Sequence, residues 1–376
     1  MSRPTVEVDR PTRAIVDLSA LRANFAEAER LAGGRRVIAV VKADAYGHGA
    51  VPVARALVAA GCEQLAVVSA EEACELRDAG ITAPILVFGG VMEEPGLAVA
   101  HGLTPVIHHR GHLEALAREA REREARCSVH VEVDSGMSRM GVPAGEAVEL
   151  LAAVAAEPAL ELEGVYTHFA RAGEADLTPC LEQLAIFREV LAAGRARGIA
   201  PRLVHCANSG ALMAGKPLFE ALPETNAVRP GLMLYGVSPG ESASRDVSLE
   251  PVMTLQTRVA HLREVEAGVA VGYSALWRAK QRTRVATLPV GYADGLLVSA
   301  SNNAEVLIGG RRHPLIGRVS MDFVGCDVGD AAVAIGDEAI LFGPGLPVED
   351  LARAAGTIPY ELLVRVGLRV PRIVRE

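Results

Sequence analysis

Lys42 closes the aliphatic run VIAVVK and is followed at once by the glycine-rich turn ADAYGHG. A primary amine at such a place suits one chemistry in particular. Once deprotonated it can form an imine with a carbonyl, which a guanidinium cannot do. The residue type is informative because only Lys42, Lys216 and Lys280 among the 38 basic residues are lysines. Where a surface charge is needed, this chain uses arginine. Read alone, a lysine at a strand end is a snorkelling side chain, so the elements that hold it decide what it can do.

From residue 37 onward, short apolar, β-branched runs fall at 37–43, 65–70, 84–89, 103–108, 129–134, 162–168, 203–207 and 228–234. Between them lie segments of helical period such as GAVPVARALVAAG, AEEACELRDAG, RGHLEALAREARERE and TPCLEQLAIFREVLAAGRARG. Eight strand–helix units predict an α/β fold, a closed parallel (β/α)8 TIM-type barrel over residues 12–240, with an open doubly wound sheet as the variant. A Ser/Gly/Pro-rich segment around residues 236–251 reads as a linker. Beyond it, alternating runs such as VAVGYSAL, TRVATLPVGY and DEAILFG predict a mainly antiparallel β domain over residues 241–376, interrupted by a short helix at VEDLARAAG. The early run RAIVDL suits either domain.

In such a barrel the active site forms at the carboxyl ends of the strands. The sequence puts there Lys42 with Tyr46 and Gly47, Arg139 in DSGMSRMG, and His168 in YTHFA. Asn208, Ser209 and Gly210 follow in HCANSG, then Arg229, Gly231 and Tyr235 in AVRPGLMLYG. This set suits a phosphate-bearing aldehyde cofactor. The lysine would form the imine, while Ser209, Gly231 and a helix N-terminus near Gly210 would donate to phosphate. Each residue also has a plain structural reading. His168 alone is a hydrogen-bonded core histidine, and Arg139 and Arg229 alone are ion-pair partners worth at most about 1 kcal/mol. His108 and His112 in HHRGH have an i, i+4 spacing but no carboxylate between them and a strand end nearby, so no metal is expected. The Y-G-H-G after Lys42 lacks the full dinucleotide fingerprint.

The net charge of −8 argues against a nucleic-acid partner, which would want a basic stripe. The start MSRPTVEVDRPTRAIVDL carries charges throughout, and no run approaches the ~18 apolar residues of a membrane span. A cytoplasmic protein without membrane contact is expected. The six cysteines show no C-x-x-C spacing and read as free thiols.

The stretches AVVKADAYGHG, VDSGMSRMG, GVYTHFA, HCANSG, VRPGLMLYG, VGYSALW, PVGYADG and GRVSMD stand in one order along nearly the whole chain. In this the chain resembles the alanine racemases. The resemblance implies pyridoxal 5'-phosphate as cofactor and interconversion of L-alanine and D-alanine by two-base α-proton transfer on its aldimine, with D-alanine either serving as a peptidoglycan precursor or being catabolised. It implies that Lys42 holds the cofactor and acts as one base. Tyr273 would be the second base on the opposite face, reaching the site from a partner subunit, which makes the protein a homodimer with shared sites. Tyr46, Asn208, Ser209, Gly231 and Leu232 match positions around the phosphate, and His168 matches the residue beside the ring. Arg139 matches the group at the ring oxygen and near the substrate carboxylate. Arg229 matches the residue facing the ring nitrogen, while Tyr292 and Met321 match substrate-side positions. Being permanently protonated, Arg229 can only donate, so the ring stays a weaker electron sink and the carbanion is reprotonated before it decarboxylates.

The chain departs from this family at three places. Glu132 stands seven residues before Arg139, where many members carry a carbamylated lysine; the glutamate is expected to pair with Arg139 directly, with no carbamylation. Leu368 replaces a pocket tyrosine, and Ser320 a cysteine before Met321. These two leave a broader racemase of alanine and serine as an alternative. A related decarboxylase using the same cofactor would put an acidic residue where Arg229 stands. A non-catalytic cofactor-binding protein would need no Tyr273.

Overall fold

The computed structural model describes residues 10–90, 94–240 and 247–376. Part of the expected linker, 241–246, lies outside the described residues, as does the charged start, 1–9. The chain forms two compact units. Among the described residues, one comprises Leu21–Ala45 and Gly49–Glu250; the other takes residues 10–20, the three residues Tyr46–His48, and Pro251–Glu376.

The first unit is a closed barrel of parallel strands. They are Arg36–Val40, Gln64–Val67, Ile85–Val87, Thr104–Ile107, Cys127–Asp134, Leu160–Tyr166, Leu203–His205 and Ala227–Val228. Each pairs with the next, the fourth pairs with the fifth through Val106 and His130, and the eighth returns to the first through Ala227 and Arg36. Their side chains are almost entirely buried, as expected of strands covered on both faces. Helices follow where the 3.6 period placed them, including Ala50–Ala59, Ala70–Asp78, Arg110–Glu122 and Thr178–Ala196.

All the strands but the fifth stop earlier than the apolar runs suggest. The first ends at Val40, two residues before Lys42, and the eighth covers only Ala227–Val228. In the eighth, Pro230 and Gly231 end the strand because proline cannot donate to the ladder, and Leu232–Tyr235 turns into a 3-10 helix. Its apolar side chains are buried all the same, so burial outlasts strand geometry.

The second unit is built on a nine-stranded sheet that is antiparallel except at one edge pair. Arg13–Asp17 lies in this sheet, antiparallel to Met253–Arg258 and parallel to Arg372–Arg375. That run falls inside the range 12–240 expected for the barrel. Its alternative partners differ by more than two hundred residues in sequence, so local pattern does not choose between them. The expected short helix is present at Val348–Ala355.

Candidate active site

Lys42 begins an unusual turn. Ala43, Asp44, Ala45 and Tyr46 have φ of 53°, 53°, 52° and 53°, a left-handed helical turn without a glycine, before Gly47 at 81°. For L-residues this conformation costs about 1–2 kcal/mol each, so neighbouring groups must hold it. Glu72 Oε1 accepts from the Ala43 N–H at 2.7 Å, and Asp44 Oδ1 accepts from the Ala50 N–H at 2.7 Å. Glu72 is itself fixed by a capping box with Ser69 at the start of the helix Ala70–Asp78. Sequence reading missed Glu72, although Ser-x-x-Glu is the signal that marks it.

The turn leaves Lys42 half-buried, and no hydrogen bond or salt bridge to its Nζ forms among the described residues. Burial pushes its amine below the ordinary lysine value, the Arg139 charge pushes it further, and Glu72 opposes both. The 3-10 helix that follows the eighth strand is tied to the end of the first strand: Tyr235 Oη donates to the Val40 carbonyl at 3.0 Å.

Arg229 is buried with no carboxylate against it. Its Nη1 donates to His205 Nδ1 at 2.6 Å, and its Nη2 to the Thr167 carbonyl at 2.9 Å and to His168 Nδ1 at 3.2 Å. The guanidinium carbon sits 4.5 Å from the centre of the Tyr166 ring. Its Nε–H has no protein acceptor among the described residues. His168 is held well below the ordinary histidine range by burial, then by the charges of Arg229, Arg139 and Lys42. It is therefore neutral, and its Nδ1 accepts.

Asn208 caps the short helix Ser209–Ala214, accepting from the Ala211 N–H at 3.0 Å. Ser209 Oγ accepts from the Gly231 N–H at 2.9 Å and the Met233 N–H at 3.3 Å, which sets the loop after the eighth strand against that helix. Leu232 is buried beside it. A Cβ on Gly210 would stand 2.8 Å from the Ala172 carbonyl, so that glycine permits a close backbone approach. The barrel thus brings Lys42, Arg139, His168, Asn208, Ser209, Arg229, Gly231 and Leu232 to one end.

Glu132 does not pair with Arg139. Its Oε2 accepts from Tyr166 Oη at 3.0 Å and contacts His108 Nε2 at 3.1 Å inside the barrel. Arg139 lies exposed on the loop after that strand, without a hydrogen bond or salt bridge among the described residues. The seven-residue separation carries Arg139 out of the strand, so the expected ion pair gives way to two interior partners.

The remaining predicted residues belong to the second unit. Tyr46 is buried, its ring 6.2 Å from that of Tyr360, and burial raises its hydroxyl far above the usual tyrosine value. Tyr273, Tyr292 and Met321 are 70%, 46% and 51% exposed, large side chains presented rather than packed. Tyr292 and Met321 are joined through backbone: the Tyr292 N–H donates to the Ser320 carbonyl at 3.0 Å, and a Cβ on Gly291 would meet the Met321 carbonyl at 2.3 Å. Buried Asp294 pins this loop, accepting from the Gly291 N–H, Arg369 and Arg10. Asp294 was also absent from the sequence reading; only its two arginine partners, each at least 75 residues away, reveal it.

Family models for the N-terminal and C-terminal domains of alanine racemase match residues 16–239 and 252–374. The chain belongs to the alanine racemase family. An alanine racemase of Desulfovibrio desulfuricans is 40% identical over 377 residues, covering 99% of this chain and 100% of that protein. Among racemases of known structure, the one from D-cycloserine-producing Streptomyces lavendulae superposes with a TM-score of 0.93 at 36% identity, covering 98% of each chain. The Bartonella henselae racemase, with covalently bound pyridoxal phosphate, superposes with a TM-score of 0.88 at 29% identity, covering 97% of this chain and 99% of that one.

Proposed function

We propose that Lys42 and Tyr273 are the two bases with which this enzyme, an isomerase, interconverts L-alanine and D-alanine. The observation that carries this reading is the unpartnered, half-buried amine of Lys42, lowered toward its neutral form by burial and Arg139. Pyridoxal 5'-phosphate, when bound, supplies a carbonyl to which an amine can be joined and a ring that spreads the charge left by a departing α-proton.

The residues suit that group. Lys42 offers a free amine, and the Arg229 Nε–H offers a donor with no protein acceptor. The Asn208–Ser209 helix start and the Gly231–Leu232 loop offer a cradle for a phosphate, with Tyr46 as the remaining phosphate-side residue. Neutral His168, hydrogen-bonded to Arg229, has a flat face for the ring. Lys42 takes or returns the α-proton on one face of the substrate, and the Tyr273 hydroxyl does so on the other. Arg139, free of any protein anion, holds the substrate carboxylate. Tyr292 and Met321 border the substrate.

The exposed Tyr273 supports a homodimer in which each subunit lends its tyrosine to the other's site. No helix among the described residues is long and apolar enough to cross a membrane. Membership of the alanine racemase family supports reading the protein as a cytoplasmic enzyme that makes D-alanine, a peptidoglycan precursor.

Incubation with L-alanine and pyridoxal 5'-phosphate in deuterated water tests the reading. Deuterated D-alanine is expected, and Tyr273→Phe should slow its formation by roughly 10²–10⁴-fold while exchange with retained configuration continues only for the one enantiomer of alanine whose α-proton faces Lys42. Unchanged racemisation by Tyr273→Phe overturns the assignment. The same assay with L-serine reports whether Ser320 and Leu368 admit a larger side chain.

A further inference from the structure

Behind Arg229 the barrel interior carries a second run of polar groups that the reaction does not touch. Arg229 donates to His205 Nδ1 at 2.6 Å. His205 Nε2 lies 2.9 Å from His130 Nδ1, and His130 Nε2 faces Glu163 Oε2 at 3.6 Å. The other carboxylate oxygen of Glu163 binds Arg202. Arg229, His205, His130 and Glu163 are all buried.

The two ends of this run fix its direction. A guanidinium only donates, so His205 Nδ1 must accept and its proton sits on Nε2. That proton points at His130 Nδ1, which puts the proton of His130 on Nε2, facing the carboxylate. Burial and the Arg229 charge hold His205 well below the ordinary histidine range, and burial lowers His130 as well. Both rings are therefore neutral, and with both ends of the run in place each carries its proton on Nε2.

Two backbone features serve the arrangement. The register of the fifth and sixth strands passes from Val129 against Leu162 to His130 against Gly164, skipping Glu163. Such a bulge re-aims the extra side chain. A Cβ on Gly164 would stand 2.5 Å from His130 Cε1, so the ring has room only because that residue is glycine. On the far side, Glu163 and Arg202 line a cavity of about 300 Å³ together with Thr104, Cys127 and Ser128, at the strand ends opposite Lys42.

We propose that Glu163 is a positioning residue for Arg229, acting through the proton positions of His130 and His205. Its carboxylate, 3.6 Å from His130 Nε2 and so acting through its charge rather than through a hydrogen bond of ordinary length, favours the proton of His130 on that nitrogen, which turns the lone pair of His205 toward the guanidinium. Without an acceptor at residue 163, His130 is released to carry its proton on Nδ1, against the N–H of His205, and Arg229 loses its fixed aim. The proposal rests on the reading of Arg229 as the group facing the cofactor ring.

The test is ¹⁵N NMR of histidine-labelled protein, without and with pyridoxal 5'-phosphate, with signals assigned through His130→Asn and His205→Asn. Both rings are expected neutral with Nε2 protonated. Glu163→Leu should abolish that state at His130, shift the absorption band of the bound cofactor, and lower kcat about tenfold with KM nearly unchanged. Glu163→Gln, which keeps a carbonyl acceptor, should restore most of all three. A protonated Nδ1 on either ring of the unmodified protein overturns the proposal and needs no variant to fold. Unmoved kcat and proton positions in Glu163→Leu overturn it equally. If the proton positions are as stated but alanine is not racemised, the Lys42 and Tyr273 reading fails and the relay itself stands.

Discussion

Arg229 and His205 meet at 2.6 Å in the barrel interior, a guanidinium donating to a neutral imidazole where a carboxylate would ordinarily be found. The cation is balanced by carbonyls, two histidines and an aromatic face rather than by an anion. It stays charged because no ordinary environment deprotonates a guanidinium.

Arg229→Lys should therefore be poorly tolerated. An ammonium has no planar fork to reach His205, His168 and the Thr167 carbonyl together, so buried acceptors lose their donors. A loss of about 1–3 kcal/mol is expected in urea unfolding of the cofactor-free protein. A midpoint equal to that of the unmodified protein would contradict the bonding described.

The pH dependence of Lys42 has a definite sign. Its amine is protonated and inert at low pH, and its lowered pKa places the rise in reactivity below the ordinary 10.5. Because the Arg139 charge contributes to that lowering, Arg139→Gln should move the rise to higher pH, whereas Glu72→Gln should move it lower. Borohydride trapping of pyridoxal phosphate on the cofactor-free protein, followed across pH, measures this. Equal profiles for all three proteins would show that the charges do not act on Lys42.

Asp294 gives a prediction for acid stability. Burial raises its pKa, but donation by Arg10 and Arg369 outweighs burial and leaves it below the ordinary 3.8. A depressed carboxylate contributes stability that is full above its unfolded value and lost as pH falls through its folded value. Asp294→Asn should thus be roughly 1–3 kcal/mol less stable at pH 7 and show a shallower loss below pH 3.8. Thermal melts from pH 7 to pH 2 would reveal it, and parallel curves for the two proteins would contradict it.

Much of the barrel is legible in the sequence because burial on both strand faces and on one helix face leaves distinct periods. Its limits are legible too. The run ending in Lys42 reads as strand to residue 43, yet the chain leaves the sheet at Val40 and winds left-handed through residues that carry no glycine. Propensity cannot foresee that, since Glu72 and the Ala50 N–H hold it from outside the turn. The pairing of Glu132 was misread for a related reason: spacing along a strand says nothing of which interior groups, here Tyr166 and His108, reach the carboxylate first.

The sequence by itself determined the fold class, the family and the roster of chemical groups at the strand ends, because hydrophobic period and ordered motifs are properties of the chain. Only the tertiary structure decided which sheet takes Arg13–Asp17, how Lys42 is freed, and that Arg229, His205, His130 and Glu163 form one directed run. Those outcomes depend on hydrogen-bond partners far apart in the chain, such as Thr12 and Thr257 at a separation of 245 residues, and on burial that only the closed barrel and the completed sheet create.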